Sequence, residues 1–185
     1  MHRLNPLPRM LLAAVLLAAG PAAADQSDPR LETLFAGLPT AGAGQAAAIE
    51  AEIWQRWSVT AIEEAIIPFR RGVAAFTEGR GEDALALFVE VTEKAPDFAE
   101  GWNKRATVLY HLGRHAESAD AVARTLALEP RHFGAWAGLG LIRRAQGRDA
   151  EALAALERGL AVNPHMPGVV AAVRDLRRSV RGRAI

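Results

Sequence analysis

Residues 99–130 read AEGWNKRATVLYHLGRHAESADAVARTLALEP, and residues 133–164 read FGAWAGLGLIRRAQGRDAEALAALERGLAVNP. The two stretches carry Trp, Gly and Pro at the same offsets, so that Trp102 and Trp136 are 34 residues apart. Pro96 and Gly79 extend the same period one unit towards the N-terminus. A period of this length, built on Trp, Gly and Pro, is typical of a helix–turn–helix solenoid.

Aligned on their prolines, the units cover residues 65–98, 99–132 and 133–166. Each unit predicts two amphipathic helices separated at a glycine, near residues 65–78, 82–94, 99–112, 115–128, 133–146 and 149–162. One such pair cannot bury its apolar face alone, so stacking of the units supplies the core. Residues 167–185 predict a C-terminal capping helix and a basic tail, with Val169, Val170, Val173, Leu176 and Val180 facing inward.

These units resemble the tetratricopeptide repeat. The matching features are Trp at the fourth place, Gly at the fifteenth, Pro at the thirty-second, and a small residue at the eighth, which is Gly72, Ala106 or Gly140. The first unit departs from the pattern with Pro68 where an aromatic residue is usual. The resemblance implies an all-α solenoid of three repeats, with an N-terminal helical extension and the C-terminal capping helix.

Residues 1–24 have the pattern of an export signal. Arg3 and Arg9 form a positive segment, Met10 to Ala19 is an apolar run, and Ala22 to Ala24 supplies small residues for cleavage. Ten helical residues span about 15 Å, half of a bilayer core, which favours a cleaved signal over an uncleaved anchor. We expect a mature chain that is periplasmic or secreted. The pattern as a whole also resembles small exported tetratricopeptide proteins of Proteobacteria.

Residues 25–64 predict a helical extension ahead of the repeats. Ser27 to Pro29 can cap a short helix, and residues 45–57 form a helix with an apolar stripe that contains Trp54 and Trp57. Thr60 with Glu63 matches a capping box for the next helix. Because exposed Trp rings favour aggregation, we expect both tryptophans to pack on the first repeat and lengthen the solenoid by one helix.

In proteins of the resembled family, the first helix of each pair lines a concave groove. The second, fifth, ninth and twelfth places are here Ile66, Phe69, Val73 and Phe76; Glu100, Asn103, Thr107 and Tyr110; Gly134, Ala137, Leu141 and Arg144. Lys104 adds a positive charge beside Asn103. The groove is either a slot for an extended peptide or partner helix, or it is covered at Phe69, Val73 and Phe76 by the N-terminal helix.

Some family members hold a C-terminal carboxylate with a clamp of Lys, Asn and Arg. The clamp positions are occupied here by Phe69 and Val73 in the first repeat and by Gly134 and Gly138 in the third. This sequence therefore disfavours a carboxylate-clamp function.

The composition and the motifs of the sequence disfavour disulfides, metal sites, bound cofactors and catalysis. The chain has no Cys, which excludes disulfides and thiolate metal sites. His111 and His115 are separated by Gly113, and His132 and His165 fall in turns between repeats, so we interpret all four as solvated turn residues. No catalytic or cofactor motif is present, which predicts a protein that is not an enzyme and holds no cofactor or metal.

The charge balance points to protein partners. Loss of residues 1–24 removes Arg3 and Arg9 and no acidic residue, so the net charge changes from +1 to −1, which disfavours nucleic acid as a partner. Arg174, Arg177 and Arg178 make the C-terminus basic, the one place where contact with a membrane is expected. The sequence favours an exported interaction module that binds a peptide or helix of an envelope protein. The alternative is a self-oligomerising protein whose groove holds its own or a neighbour's N-terminal helix.

The first prediction concerns export. Because Ala22 and Ala24 match the small residues that signal peptidase requires, the chain recovered from its host should begin at Asp25. Intact-mass spectrometry measures this directly. A full-length product confined to the cytoplasm would contradict it.

Overall fold

The computed structural model describes residues 25–182, and the secondary structure of this part is helical throughout. The helices are α1 (Arg30–Gly37), α2 (Ala43–Trp57), α3 (Glu63–Thr77), α4 (Gly81–Lys94), α5 (Ala99–His111), α6 (His115–Leu128), α7 (Phe133–Ala145), α8 (Asp149–Val162) and α9 (Pro167–Gly182). The proposed export signal and the last three residues lie outside the described part. No helix within residues 25–182 is both long and apolar enough to cross a membrane.

Three helix pairs, α3–α4, α5–α6 and α7–α8, form the expected solenoid, and each helix begins within two residues of its predicted start. Glycine recurs every 34 residues because the backbone adopts a positive φ angle at the end of each first helix. Gly79, Gly113 and Gly147 have φ angles of +77°, +75° and +73°, a conformation that costs glycine little. The residue after each glycine donates its N–H to a carbonyl five residues back, as in Arg114 to Leu109 at 2.9 Å, which closes the helix end.

The tryptophan and proline periods have a shared cause as well. Trp102 Nε1 donates to the carbonyl oxygen of Pro96 at 2.8 Å, and Trp136 Nε1 donates to that of Pro130 at 2.9 Å. Each indole therefore ties the first helix of a repeat to the turn that precedes it.

Small residues at the eighth place let paired helices approach closely. A Cβ on Gly72 would lie 2.9 Å from the Phe88 ring, and a Cβ on Gly140 would lie 2.4 Å from Leu156 Cδ2. Phe88 and Leu156 are both almost fully buried. The expected crossing of α7 and α8 at Gly140 is thus observed.

The N-terminal extension forms a hairpin that crosses the turns between repeats. Helices α1 and α2 are joined by a short 3-10 turn at Leu38–Thr40. The Gln26 amide bonds the backbone of Asp97 and Ala99, Glu32 pairs with Arg131 at 2.7 Å, and the Leu38 carbonyl lies 3.0 Å from His165 Nε2. Asp97, Arg131 and His165 hold the same place in successive repeats, so this N-terminal hairpin runs along one edge of the solenoid.

The expectation that Trp54 and Trp57 pack on the first repeat is wrong. Both rings instead lie against His132 and Phe133, at the junction of the second and third repeats. Gly134 leaves the room for this, because a Cβ there would lie 2.6 Å from Trp54 Cη2. The extension therefore lies across the solenoid and adds no helix to its end.

The start of α3 also differs from the expectation. Thr60 Oγ1 accepts a hydrogen bond from the Ile62 N–H at 3.2 Å, and the N-cap residue of α3, Ile62, makes no capping hydrogen bond with its side chain. Thr60 thus forms a local turn in place of a capping box with Glu63. At the other end of the solenoid, Val173 and Leu176 of α9 are buried against Ala152 and Leu156 of α8, as a capping helix requires. The expectation that Val170 also faces inward is wrong, because its side chain is 38% exposed.

The second prediction tests the packing at the eighth place. Gly140→Leu should lower the free energy of unfolding by about 1–3 kcal/mol, because the larger side chain overpacks the contact with Leu156. Gly138→Ala is the control, since nothing lies within 4 Å of its added Cβ and alanine favours the helix. Thermal unfolding of both variants measures the difference. Equal melting temperatures for Gly140→Leu and the wild type would contradict the packing.

Candidate functional site

The predicted groove residues divide into two groups along helices α3, α5 and α7. Those early in the helices are buried or half-buried, and those late in the helices are half-buried or exposed. Phe69 is 8% exposed and packs on Phe88 and Phe98, with ring centroids 5.9 and 5.2 Å away. Asn103 is also 8% exposed. The prediction that these two side chains are available to a partner is therefore wrong.

The covering element at the second and third repeats is the N-terminal hairpin. The Trp57 ring stacks on the His132 ring, with centroids 4.1 Å apart and planes 8° from parallel. Trp54 meets Trp57 edge to face at 5.3 Å and lies over Gly134. Lys104 Nζ lies 5.8 Å from the Trp54 ring centroid. The aromatic rings of α2 thus fill the early half of the groove.

A buried polar cluster lies beneath these rings. Glu100 Oε2 accepts hydrogen bonds from His132 Nε2 at 3.0 Å and from Asn103 Nδ2 at 2.9 Å. Lys104 Nζ lies 3.0 Å from Glu100 Oε1. His132 Nδ1 accepts the Ala135 N–H at 3.0 Å, which leaves the ring proton on Nε2 to face the carboxylate.

The pKa of Glu100 is set by opposing effects. Complete burial raises it, but the hydrogen bond from His132 and the charge of Lys104 together hold the pKa below its ordinary value. Glu100 is therefore an ionised carboxylate within the protein interior. Its negative charge is matched by Lys104, whose side chain is 34% exposed and so remains partly hydrated.

The interpretation of His132 as a solvated turn residue is wrong, because the ring is fully buried under Trp57. The alignment of the repeats contained evidence for the burial of His132. His132 occupies the last place of its unit, where the other units have Phe98 and Met166. An apolar consensus at that place predicts burial for whichever residue stands there.

The other histidines differ among themselves. His165 is half-buried and contacts the N-terminal hairpin through Leu38, so its assignment as a solvated residue is also wrong. His111 is exposed, with its ring 5.2 Å from Phe76, and the half-buried His115 ring lies 5.2 Å from Tyr110. Within residues 25–182, no three histidine or acidic side chains are arranged to hold a metal ion.

The late half of the groove is open. Val73 is 38% exposed and Leu141 is 45% exposed, and they occupy the same place on α3 and α7. On α5, Thr107 and Tyr110 are half-buried, and Thr107 Oγ1 donates to the Asn103 carbonyl at 2.9 Å. Phe76 is half-buried and Arg144 is exposed. We call Val73, Phe76, Thr107, Tyr110, Leu141 and Arg144 the open strip.

A sequence model of the tetratricopeptide repeat matches residues 69–128 and 116–167, which together span more than half of the chain. This chain belongs to the tetratricopeptide repeat family. It is 30% identical over 139 residues to a TPR repeat-containing protein of Rhizobium etli, covering 75% of this chain and 68% of that protein.

Solved structures share the fold at lower identity. The first TPR of Spaghetti (RPAP3), bound to an HSP90 peptide, aligns with a TM-score of 0.63 at 19% identity, covering 65% of this chain and 95% of that one. The Sgt2 TPR domain from Aspergillus fumigatus aligns with a TM-score of 0.63 at 21% identity, covering 66% of this chain and 82% of that one. The TPR2B domain of yeast Sti1, in a complex with pHsp70, aligns with a TM-score of 0.59 at 20% identity, covering 63% of this chain and 98% of that one. The fold is that of a protein-interaction scaffold.

The third prediction tests the buried cluster. Glu100→Gln should destabilise the fold at neutral pH by about 2 kcal/mol, because it weakens charge-assisted hydrogen bonds beneath Trp57. Since the folded-state pKa lies below the ordinary value of 4.5, the wild-type advantage is complete above that pH and disappears as the pH falls through the lowered pKa. Urea unfolding at several pH values measures this advantage.

The control for Glu100→Gln is Glu93→Gln, at an exposed glutamate of α4. It should change the free energy of unfolding little at any pH. Equal stability of Glu100→Gln and the wild type at pH 7 would show that the cluster does not hold Glu100 as a stabilising carboxylate.

Proposed function

We propose that this protein is an exported interaction module that binds a peptide or a single helix of an envelope protein in the open strip. The observation that carries the proposal is the placement of Val73, Tyr110 and Leu141 on three successive first helices, all at least partly exposed. Exposed apolar side chains aligned across a repeat array are typical of a binding surface.

The composition of the open strip fits such a ligand. Tyr110 offers a large apolar area with a polar tip, and Val73 and Leu141 offer apolar contacts on either side of it. Arg144 lies at the third-repeat end and forms no ion pair within the described part of the chain. A ligand with apolar side chains and an acidic group near one end suits this arrangement.

The N-terminal hairpin limits the size of the ligand. Because Trp54 and Trp57 fill the early half of the groove, the free slot is bounded on one side by α2. One extended peptide or one helix fits such a slot better than a globular domain. The similar structure bound to an HSP90 peptide supports a peptide ligand in general terms. The carboxylate clamp is not supported, since Phe69, Val73, Gly134 and Gly138 occupy its places.

The envelope location rests on the sequence of residues 1–24. Their positive segment, apolar run and small residues match an export signal, and the high Ala and Arg content suggests a bacterium with high genomic GC content. We therefore propose the periplasm as the compartment in which the partner is met.

One observation favours the alternative of a groove filled by the protein's own N-terminal helix, because α2 does fill the early half. We interpret α2 as a permanent part of one side of the groove, since the late half of the groove stays open beside it. The Glu100–His132 pair also has the composition of an acid–base site. Both side chains are fully covered, so neither reaches a substrate.

The fourth prediction tests the open strip. A partner is first identified by pull-down from periplasmic extract with the mature chain. Tyr110→Ala combined with Leu141→Ala should then weaken binding of that partner by about 2–4 kcal/mol, because a few central anchors carry most of the binding free energy. Isothermal titration calorimetry with the purified partner measures this loss.

The matched control is Val170→Ala, which trims an apolar side chain of similar exposure on α9, away from the open strip. It should bind as the wild type does. Asn103→Ala is unsuitable as a binding test, because Asn103 donates to the buried Glu100. If the folded Tyr110/Leu141 variant binds the partner with wild-type affinity, the binding site lies outside the open strip.

A further inference from the structure

The repeats stack through one face of each first helix. In the second repeat this face carries Gly101 and Val108 at the third and tenth places, and a Cβ on Gly101 would lie 2.8 Å from Val91 of the preceding repeat. In the third repeat the same places hold Ala135 and Ile142. These four residues are all buried. The third and tenth places therefore mark the stacking face.

The stacking face of the first repeat is exposed in the part of the chain that the structure describes. Its third and tenth places are Ile67 and Ala74, and Ile67 is 67% exposed, more than any other large apolar residue in the described part. Helix α9 closes the opposite end of the solenoid with Val173 and Leu176. Within residues 25–182, no helix plays that role at the first repeat, because the N-terminal hairpin packs on His132 and Phe133.

Charged residues surround Ile67 symmetrically. Glu63 and Glu64 precede it by four and three residues, and Arg70 and Arg71 follow it by three and four. All four are exposed, and none forms an ion pair within residues 25–182. Each glutamate is seven residues from an arginine on the same side of the helix, which is about 10 Å along the axis and too far for contact within one chain.

We infer that a second copy of this chain docks on this face, with the two α3 helices antiparallel and Ile67 of one copy against Ile67 of the other. At 100° per residue, Glu63 and Arg70 lie on one side of Ile67, and Glu64 and Arg71 lie on the other. A twofold axis that lies in the interface plane, perpendicular to α3, makes the two helices antiparallel. It also places the Glu63 and Arg70 side of one helix opposite the same side of the other. Glu63 therefore faces Arg70 of the second copy, and Glu64 faces Arg71.

The positions of these four charges also exclude a parallel arrangement of the two α3 helices. A parallel pair of α3 helices would place glutamates against glutamates and arginines against arginines. The self-complementary charge pattern is what an isologous twofold interface requires, whereas a different partner protein would require no such symmetry in this chain. Ala74, small and exposed, extends the contact face beyond the charges. The open strip uses other side chains, so the dimer leaves it free.

Two charge-reversed variants test this interface. Glu63→Arg with Glu64→Arg makes all four charges positive, and Arg70→Glu with Arg71→Glu makes all four negative. Sedimentation equilibrium of the purified protein should show a wild-type dimer. Either variant alone should dimerise more weakly by at least about a hundredfold, because like charges then face each other. An equimolar mixture of the two variants should form a heterodimer.

Two further variants separate the interface from folding. Glu93→Arg with Asp120→Arg reverses two exposed charges elsewhere and should leave the dimer intact. Ile67→Lys should give a folded monomer, with circular dichroism and melting temperature close to wild type, since Ile67 is mostly exposed. A wild-type protein that is monomeric up to hundreds of micromolar would overturn the inference. So would a dimer that is indifferent to charge reversal at residues 63, 64, 70 and 71.

Discussion

The stacking of Trp57 on His132, directly above the ionised Glu100, decides where the N-terminal hairpin lies. Without that stack, the carboxylate of Glu100 and the imidazole of His132, both in the second repeat, would be exposed to solvent on the side that Trp57 now covers. With it, α1 and α2 are drawn along the turns between repeats, at Asp97, Arg131 and His165. This placement covers the early half of the groove beside the second and third repeats and leaves the late half open.

The open strip and the exposed stacking face of the first repeat, both within residues 25–182, differ in chemistry. The open strip around Tyr110 is an apolar slot with an arginine at one end, suited to a peptide or helix. The exposed stacking face at Ile67 is ringed by charges of both signs and suited to its own copy. The hairpin covers the early groove, and no helix within residues 25–182 covers the stacking face of α3, so both surfaces follow from where the hairpin packs. A dimer through Ile67 would present two open strips, which raises avidity for a partner that is itself multivalent.

The fold was predictable from the sequence because its causes are local. Glycine at a positive φ, an indole bonded to a proline carbonyl and a small residue at a helix crossing each leave a mark at a constant period. The site was predictable only in part. Tyr110 and Leu141 lie where the repeat pattern puts them, but the burial of Phe69 and Asn103 depends on contacts far apart in sequence. His132 stands at a place that is apolar in the neighbouring repeats, and its burial was readable from that alignment, whereas its partner Trp57, 75 residues earlier, was not.

Trp57 fixes the N-terminal hairpin at the junction of the second and third repeats. The most direct measurement is a nuclear Overhauser experiment between the Trp57 indole protons and the His132 ring protons in the folded protein. Centroids 4.1 Å apart should give strong cross-peaks between the two rings, with further peaks from Trp57 to Phe133. Cross-peaks from Trp57 to Ile67 or Ala74, with none to His132, would place the hairpin on the first repeat and contradict the account.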